Sequence, residues 1–283
     1  MRWLIRKYNT LGVFDKVLVL IAVFVISFLG YVFFRKSEFV TVTIKVGEEN
    51  VHYEPWMVDT GTRAWFAQLF SQGMEETDGL GRVMAEVLSV RSYDTQPSRK
   101  AVYVTTKLNT VFSKSSNQYT FKGRPLLIGS TVKLNLDRLL VEGLITHVEG
   151  VKDARVKETI IVEAQIREET PTFPETSGTR DYIAQALIIG EEIKDSQENT
   201  IIKILDKRVE NAKRVVTTSD GKVLVQTNPL RKDVFLTLEI SAIKIGERYY
   251  LFDDIPILIG YGIPFNTSTL SVLPEVTRFV KVR

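Results

Sequence analysis

The chain has 283 residues, of which 44% are apolar and 25% charged, a composition that excludes wholesale disorder and leaves room for an anchor plus one large or two small domains. Its 37 basic and 34 acidic side chains are interspersed, so the net charge of +3 excludes the concentrated basic stripe of a nucleic-acid binder. There is no cysteine, which excludes disulfides, thiolate nucleophiles and cysteine-ligated metals.

From Val17 to Phe34 the sequence runs VLVLIAVFVISFLGYVFF, eighteen residues without a charge. At about 1.5 Å per residue this run covers roughly 27 Å, close to the ~30 Å hydrocarbon thickness of a bilayer. The flank Phe33-Phe34-Arg35-Lys36 is bulky and charged where a signal peptidase needs small residues, which favours a retained anchor over a cleaved signal or a core helix. Arg2, Arg6, Lys7 and Lys16 precede the run and only Arg35 and Lys36 follow it, so the positive-inside rule places the amino terminus in the cytoplasm. The expectation is a single-pass membrane protein: residues 1–36 form the cytoplasmic amino terminus and the transmembrane anchor, and the bulk is extracytoplasmic. The lipid bilayer is then a partner through Val17 to Phe34.

Beyond the anchor the chain repeats itself. Gly61-Thr62-Arg63-Ala64-Trp65-Phe66-Ala67-Gln68, with Gly73, recurs 117 residues on as Gly178-Thr179-Arg180-Asp181-Tyr182-Ile183-Ala184-Gln185, with Gly190. Phe121, Pro125, Ile128, Gly129, Asn135 and Thr146 recur 131 residues on as Phe252, Pro256, Ile259, Gly260, Asn266 and Thr277. The shift between offsets means that the second copy carries fourteen extra residues between the two blocks. Two homologous modules are expected, at 39–150 and 156–283.

Each module opens on an alternating β-branched run, Val40 to Val46 and Thr159 to Ile166, the pattern of a strand with one buried face. The Gly-Thr-Arg block follows. There Thr62 and Thr179 are suited to cap a short helix and Gly73 and Gly190 to end it, with Trp65, Phe66, Leu69 and Phe70, or Tyr182, Ile183, Ala186 and Leu187, packed on the sheet. Both helices are entered through a proline-containing loop, Glu54-Pro55-Trp56 and Thr170 to Glu175. The remainder reads as strands: Arg82 to Tyr93, Ala101 to Phe112, Tyr119 to Phe121, Leu126 to Leu136 and Leu140 to Val148 in the first copy. In the second they are Thr200 to Val209, Val234 to Ile243, Arg248 to Phe252, Ile257 to Phe265 and Leu270 to Val280. The predicted fold class is thus one amino-terminal transmembrane helix plus mainly β structure, in two tandem barrel-like or β-sandwich modules with one short helix each.

Residues able to carry chemistry are sparse. His52 and His147 occupy unlike places, and His147 aligns with Arg278 in the other copy, against a shared catalytic or ligand role. Glu75, Glu76 and Asp78, answered by Glu191, Glu192 and Asp195, read as solvated loop acids without EF-hand spacing; calcium in both loops stays open. The Pro125–Gly129 and Pro256–Gly260 blocks lack the lysine and glycine spacing of a phosphate loop, and the glycines suit a bend or bulge. Asn266-Thr267-Ser268 matches the short glycosylation pattern. No catalytic, cofactor or metal residue is assigned, no cofactor is expected, and the chain is not read as an enzyme.

The basic amino terminus and single anchor, Ala184-Gln185-Ala186-Leu187-Ile188-Ile189-Gly190-Glu191, and the pair Pro125 to Gly129 and Pro256 to Gly260 resemble the bacterial single-pass membrane family known as domain of unknown function 4330. That resemblance implies an architecture and no activity. Gly129-Ser130-Thr131-Val132 with Val141-Glu142-Gly143 is similar, more loosely, to the anchored β-barrel subunits of bacterial lipid-transport systems. The expected function is a membrane-anchored structural or interaction protein of the cell envelope, binding other envelope proteins or itself. The alternative is a subunit of a lipid or polysaccharide transport or export system.

Overall fold

The computed structural model describes residues 12–33, 37–47, 61–167 and 178–282. His52 and both proline-containing loops lie outside the described residues. By compactness the chain forms two units, one of Met1–Val40 with Asn109–Leu126, the other of Thr41–Leu108 with Leu127–Arg283.

The first unit contains α1 (Val13–Phe33), a helix of 21 residues. Its side chains are described without a break only from Val17 to Ser27, all of them exposed. Eleven residues rise about 16 Å against the ~30 Å of a bilayer core, and no helix among the described residues is long and apolar enough to cross a membrane. The same unit holds the start of β1 (Glu38–Gly47) and a small sheet around β6 (Gln118–Phe121) and β7 (Arg124–Pro125). There the Thr110 hydroxyl donates to the Glu38 carbonyl at 2.7 Å, and the Tyr119 hydroxyl donates to the Glu38 carboxylate at 3.2 Å.

Elsewhere the chain is mainly β. Val40, Val42, Ile44 and Val46 of β1 are buried while the residues between them are half-exposed, the period-two burial that their β-branched side chains dictate. Each such burial contributes about 1.5–3 kcal/mol. Next in the chain come β2 (Thr62–Arg63), α2 (Ala64–Ala67), β3 (Glu75–Thr77), β4 (Val83–Gln96) and β5 (Arg99–Ser113), then β8 (Thr131–Leu136) and β9 (Leu139–Val148). The strand order β3-β4-β5-β1-β9-β8 brings the two edges together. The Asp137 amide donates to the Glu75 carbonyl at 2.9 Å, and the Asn135 amide to the Glu76 carboxylate at 3.2 Å. The result is a nearly closed, barrel-like sheet.

The second copy repeats this wiring: β10 (Val156–Ile166), β11 (Thr179–Arg180), α3 (Asp181–Ala186), β12 (Glu192–Lys194), β13 (Thr200–Thr217) and β14 (Val223–Ile245), followed by β15 (Arg248–Leu251) and β16 (Ile255–Pro256). After them come the two-residue β17 (Phe265–Asn266) and β18 (Ser271–Val272), and finally β19 (Glu275–Val282). Its order, β12-β13-β14-β10-β19, matches β3-β4-β5-β1-β9 strand for strand. The sixth strand is what fails. Pro264 stands where Lys133 pairs with Glu142 in the first copy and Pro274 where Gly143 pairs with Val132, and proline has no amide proton to give to a ladder. Ile193 replaces Glu76, so the Asn266 amide meets no carboxylate there. The second sheet stays open between β12 and residues 266–268.

Several sequence expectations are corrected. Thr62 and Thr179 do not cap the helices: the cap positions are Arg63 and Arg180, without a side-chain cap bond, and both threonines are fully buried one residue earlier. Gly73 and Gly190 end no helix but donate to Val87 and Ile204 carbonyls, each at 2.8 Å, at the turns before β3 and β12. The apolar face of the helix segments is only partly as expected: Phe70 and Leu187 are buried, together with Ala67 and Ala184, whereas Trp65 and Tyr182 are each 62% exposed and Leu69 and Ala186 are exposed too. The Ile257 to Phe265 strand reduces to a turn with Phe265 and Asn266 at its end. The Leu126 to Leu136 strand begins only at Thr131.

The extra residues of the second copy form an arm. Asp94 pairs with Lys100 across the β4–β5 hairpin, and their equivalents Asn211 and Lys232 pair across β13–β14. Between these last two the ribbon runs on from the Ala212–Asn228 pair to the Thr217–Val223 pair and turns over Thr218 to Lys222. Val215, Val223, Leu224 and Val225 are all exposed on it.

Candidate functional site: the junction of the two copies

The outward faces of β4 and β5 carry Arg91 and Tyr103 as cross-strand partners, flanked by Tyr93 and Ala101. Alternation sets these side chains opposite to the interior residues Val102 and Val104. Tyr93, Ala101 and Tyr103 are nonetheless buried, because they join the core built by Ile160, Leu236 and Phe252 of the second copy, while Arg91 stays half-buried at its edge.

What covers them is the turn after β15. Phe252 and Asp253 both have left-handed backbones, at φ 53° and 67°, which swings both side chains toward the first copy. The Phe252 ring stacks on Tyr93 at 4.9 Å between centroids. The Tyr103 hydroxyl donates to the Phe252 carbonyl at 3.1 Å. Arg91 Nη2 donates to Asp253 Oδ2 at 2.6 Å, with the Asp253 side chain 7% exposed and Arg91 39%. Lys45 Nζ reaches Asp254 Oδ2 at 2.6 Å.

Burial, reinforced by the aspartates of the turn, pushes both tyrosine phenols far above their ordinary pKa of 10.0. They therefore act only as neutral donors and ring surfaces. The rim is polar: Ser92 and Ser196 exchange two bonds at 2.9 and 3.1 Å, and Asn266 Nδ2 donates to the Asp94 carbonyl at 2.9 Å. Beside this rim, where the second sheet fails to close, lies an open polar cleft of about 650 Å³ between Asp94, Glu192, Lys194 and Ser268.

The acidic positions singled out by sequence are occupied by framework roles. Asp78 accepts from the Leu80 and Arg82 amides at 2.9 Å, and its equivalent Asp195 accepts from Gln197 and Asn199 at 2.9 Å. The hydrogen bond from the Arg82 amide leads in holding the Asp78 carboxyl below its ordinary range. Glu192 pairs with Lys203 at 2.7 Å, and the Glu191 carboxylate takes the Ile188 amide at 3.4 Å. Among the described residues no group of three histidines or carboxylates is placed to hold a metal ion.

His147 Nδ1 lies 3.5 Å from Asp153, itself bound by Arg155 at 2.7 Å. Gly129 and Gly260 sit in turns, their amides donating to Ile145 and Val276 carbonyls at 2.8 Å. The Asn266 amide group, the glycosylation candidate, is engaged by Asp94 and by Ser271 at 2.7 Å.

The junction residues were missed by sequence because Arg91 and Asp253 are 162 positions apart and share no motif. One signal existed: an arginine recurs at Arg91 and Arg208, but its aromatic partner recurs at a different offset, Tyr103 and Phe235. The chain finds no match among protein families, curated proteins or solved structures.

Proposed function

We propose that this chain is a membrane-anchored structural or interaction protein whose bulk lies outside the cytoplasm and binds other proteins of the envelope. The observation that carries the reading is α1, whose side chains from Val17 to Ser27 are exposed and, except for Ser27, all apolar, a surface that a bilayer would cover. The rest of the uncharged run, to Phe34, brings its length to that of a span. The resemblance to domain of unknown function 4330 belongs to the same proposal.

The junction supports an adhesive role, since its aromatic stack and charge-assisted bonds are those of a protein–protein contact. The interior of the first sheet is filled by Val42, Ile44, Leu108, Leu134 and Ile145, which speaks for a scaffold over a conduit for lipid.

A cysteine at exposed Asn117 tests the orientation, the chain having none of its own. Labelling of intact cells by an impermeant maleimide is expected. Labelling only after lysis would refute the orientation, and recovery of the chain in the soluble fraction would refute the anchor.

A further inference from the structure

The chain re-enters sheet structure close to where α1 ends. Glu38, the first residue of β1, follows Phe33 by five residues, which reach at most about 18 Å when fully extended. Whatever is bonded to Glu38 is therefore held near the end of the helix. The Thr110 hydroxyl donates to its carbonyl and the Tyr119 hydroxyl to its carboxylate, so the β5–β6 hairpin is tied there. Phe112 pairs with Tyr119 and Ser113 with Gln118 across that hairpin, leaving Lys114 to Asn117 as its exposed tip. The turn between β6 and β7 adds Lys122 and Arg124, both exposed. Residues 37–40 and 109–126 thus hold three bases against one acid, Glu38, and that acid is the acceptor of the Tyr119 hydroxyl. Phe39 and Phe112 are exposed in the same unit, the Phe112 ring edge-on to Tyr119 at 5.1 Å.

The second copy serves as an internal control. At the places of Lys114, Lys122 and Arg124 it carries Ile245, Asp253 and Ile255, each 131 residues on. Its turn is acidic and is engaged by Arg91 and Lys45. Basic charge is thus no general property of this hairpin and turn; it marks the copy tethered next to the apolar helix. We propose that the β5–β6 hairpin tip and the Lys122–Arg124 turn rest on the bilayer surface through anionic lipid headgroups, as a foot beside α1. Opposite charge selects the lipid, and the attraction fades beyond a Debye length, roughly 10 Å at 0.1 M salt, so the short tether is what keeps these bases in range. Exposed phenylalanine beside basic residues suits the boundary between headgroups and acyl chains. This inference rests on the reading of α1 as an anchor but not on its orientation, since either face of a bilayer presents headgroups. Headgroup contact leaves Asn117 on the aqueous side, open to its label.

The test uses the full chain with Ser116→Cys, its single cysteine, carrying an NBD fluorophore at the hairpin tip. The chain is reconstituted into vesicles of phosphatidylcholine alone or with about a quarter phosphatidylglycerol. NBD emission is expected to brighten and shift to the blue in the anionic vesicles only. Each basic residue favours the surface-bound state about fivefold, so Lys114→Glu, Lys122→Glu and Arg124→Glu together should lower its population about a hundredfold or more and return the emission to that in neutral vesicles. The three side chains are exposed, and circular dichroism checks that the variant is folded. The unmutated chain gives a second readout: about 1 M salt, which cuts the screening length to about 3 Å, should abolish the shift. Flotation with both vesicles but emission indifferent to lipid charge would overturn the proposal alone, as would a shift that survives the triple variant or high salt. Flotation with neither vesicle would refute the anchor and this proposal with it.

Discussion

Arg91 and Asp253, 162 residues apart, meet at 2.6 Å in a pair that is lopsided in its burial. The carboxylate is nearly enclosed while the guanidinium keeps contact with solvent. Removing the arginine strands a buried charge, whereas removing the aspartate leaves an arginine that water can serve. Arg91→Ala is therefore expected to cost about 3 kcal/mol and Asp253→Ala distinctly less. Urea denaturation of the two variants, with the double variant to close the cycle, checks the asymmetry; equal losses would contradict it.

The first sheet is closed in part through one side chain. Glu76→Ala removes the acceptor of the Asn135 amide and is expected to destabilise by about 1–3 kcal/mol, with Glu76→Gln milder because its amide oxygen still accepts. Hydrogen exchange at Asn135 and Asp137 should rise in the alanine variant ahead of exchange in β1.

Gly61 has φ +94°, and a Cβ there would lie 2.3 Å from the Lys100 carbonyl oxygen, a backbone atom that cannot step aside. Gly73 has φ +85° with open space around it. Gly61→Ala is expected to lower the melting temperature well beyond Gly73→Ala, which bears only the left-handed backbone cost of about 1–2 kcal/mol. Similar shifts in both would refute the steric account.

The side-chain hydrogen bonds from Arg155 hold the Asp153 carboxyl at about 2, below its ordinary 3.8. A depressed folded-state value means the contribution is complete above the ordinary value and is lost as pH falls through about 2. Asp153→Asn should be less stable than the parent by a constant, small margin above about pH 5, closing toward pH 2. A margin that widened on acidification would contradict the sign.

The openings of the two copies were legible because Val40 to Val46 and Ile160 to Ile166 alternate cleanly over a single buried face. The arm was not, since neither face of Val215 to Thr217 or Val223 to Val225 is buried and no in–out pattern marks it. Trp65 and Tyr182 were misread because aromatic residues repeated at one position look like core, yet both face solvent. The cap assignment slipped by one residue: Arg63 takes the extended cap geometry at φ −65° and ψ 139°, and Thr62 points inward. The apolar run before Phe265 looked like a strand until Pro264 and Pro274 took away the amides such a strand would need. The junction itself joins residues too distant for any local pattern to connect.

Because Tyr93, Ala101 and Tyr103 extend the core that contains Ile160, Leu236 and Phe252, the second copy standing alone would expose the part of that core they cover. The parts of the two copies that share this core, Thr41–Leu108 and Leu127–Arg283, are expected to unfold together, and calorimetry should record them melting in a single transition. A ribosome completing the chain would release the second copy beside a first copy that already offers Tyr93, Ala101 and Tyr103 as the surface it lacks.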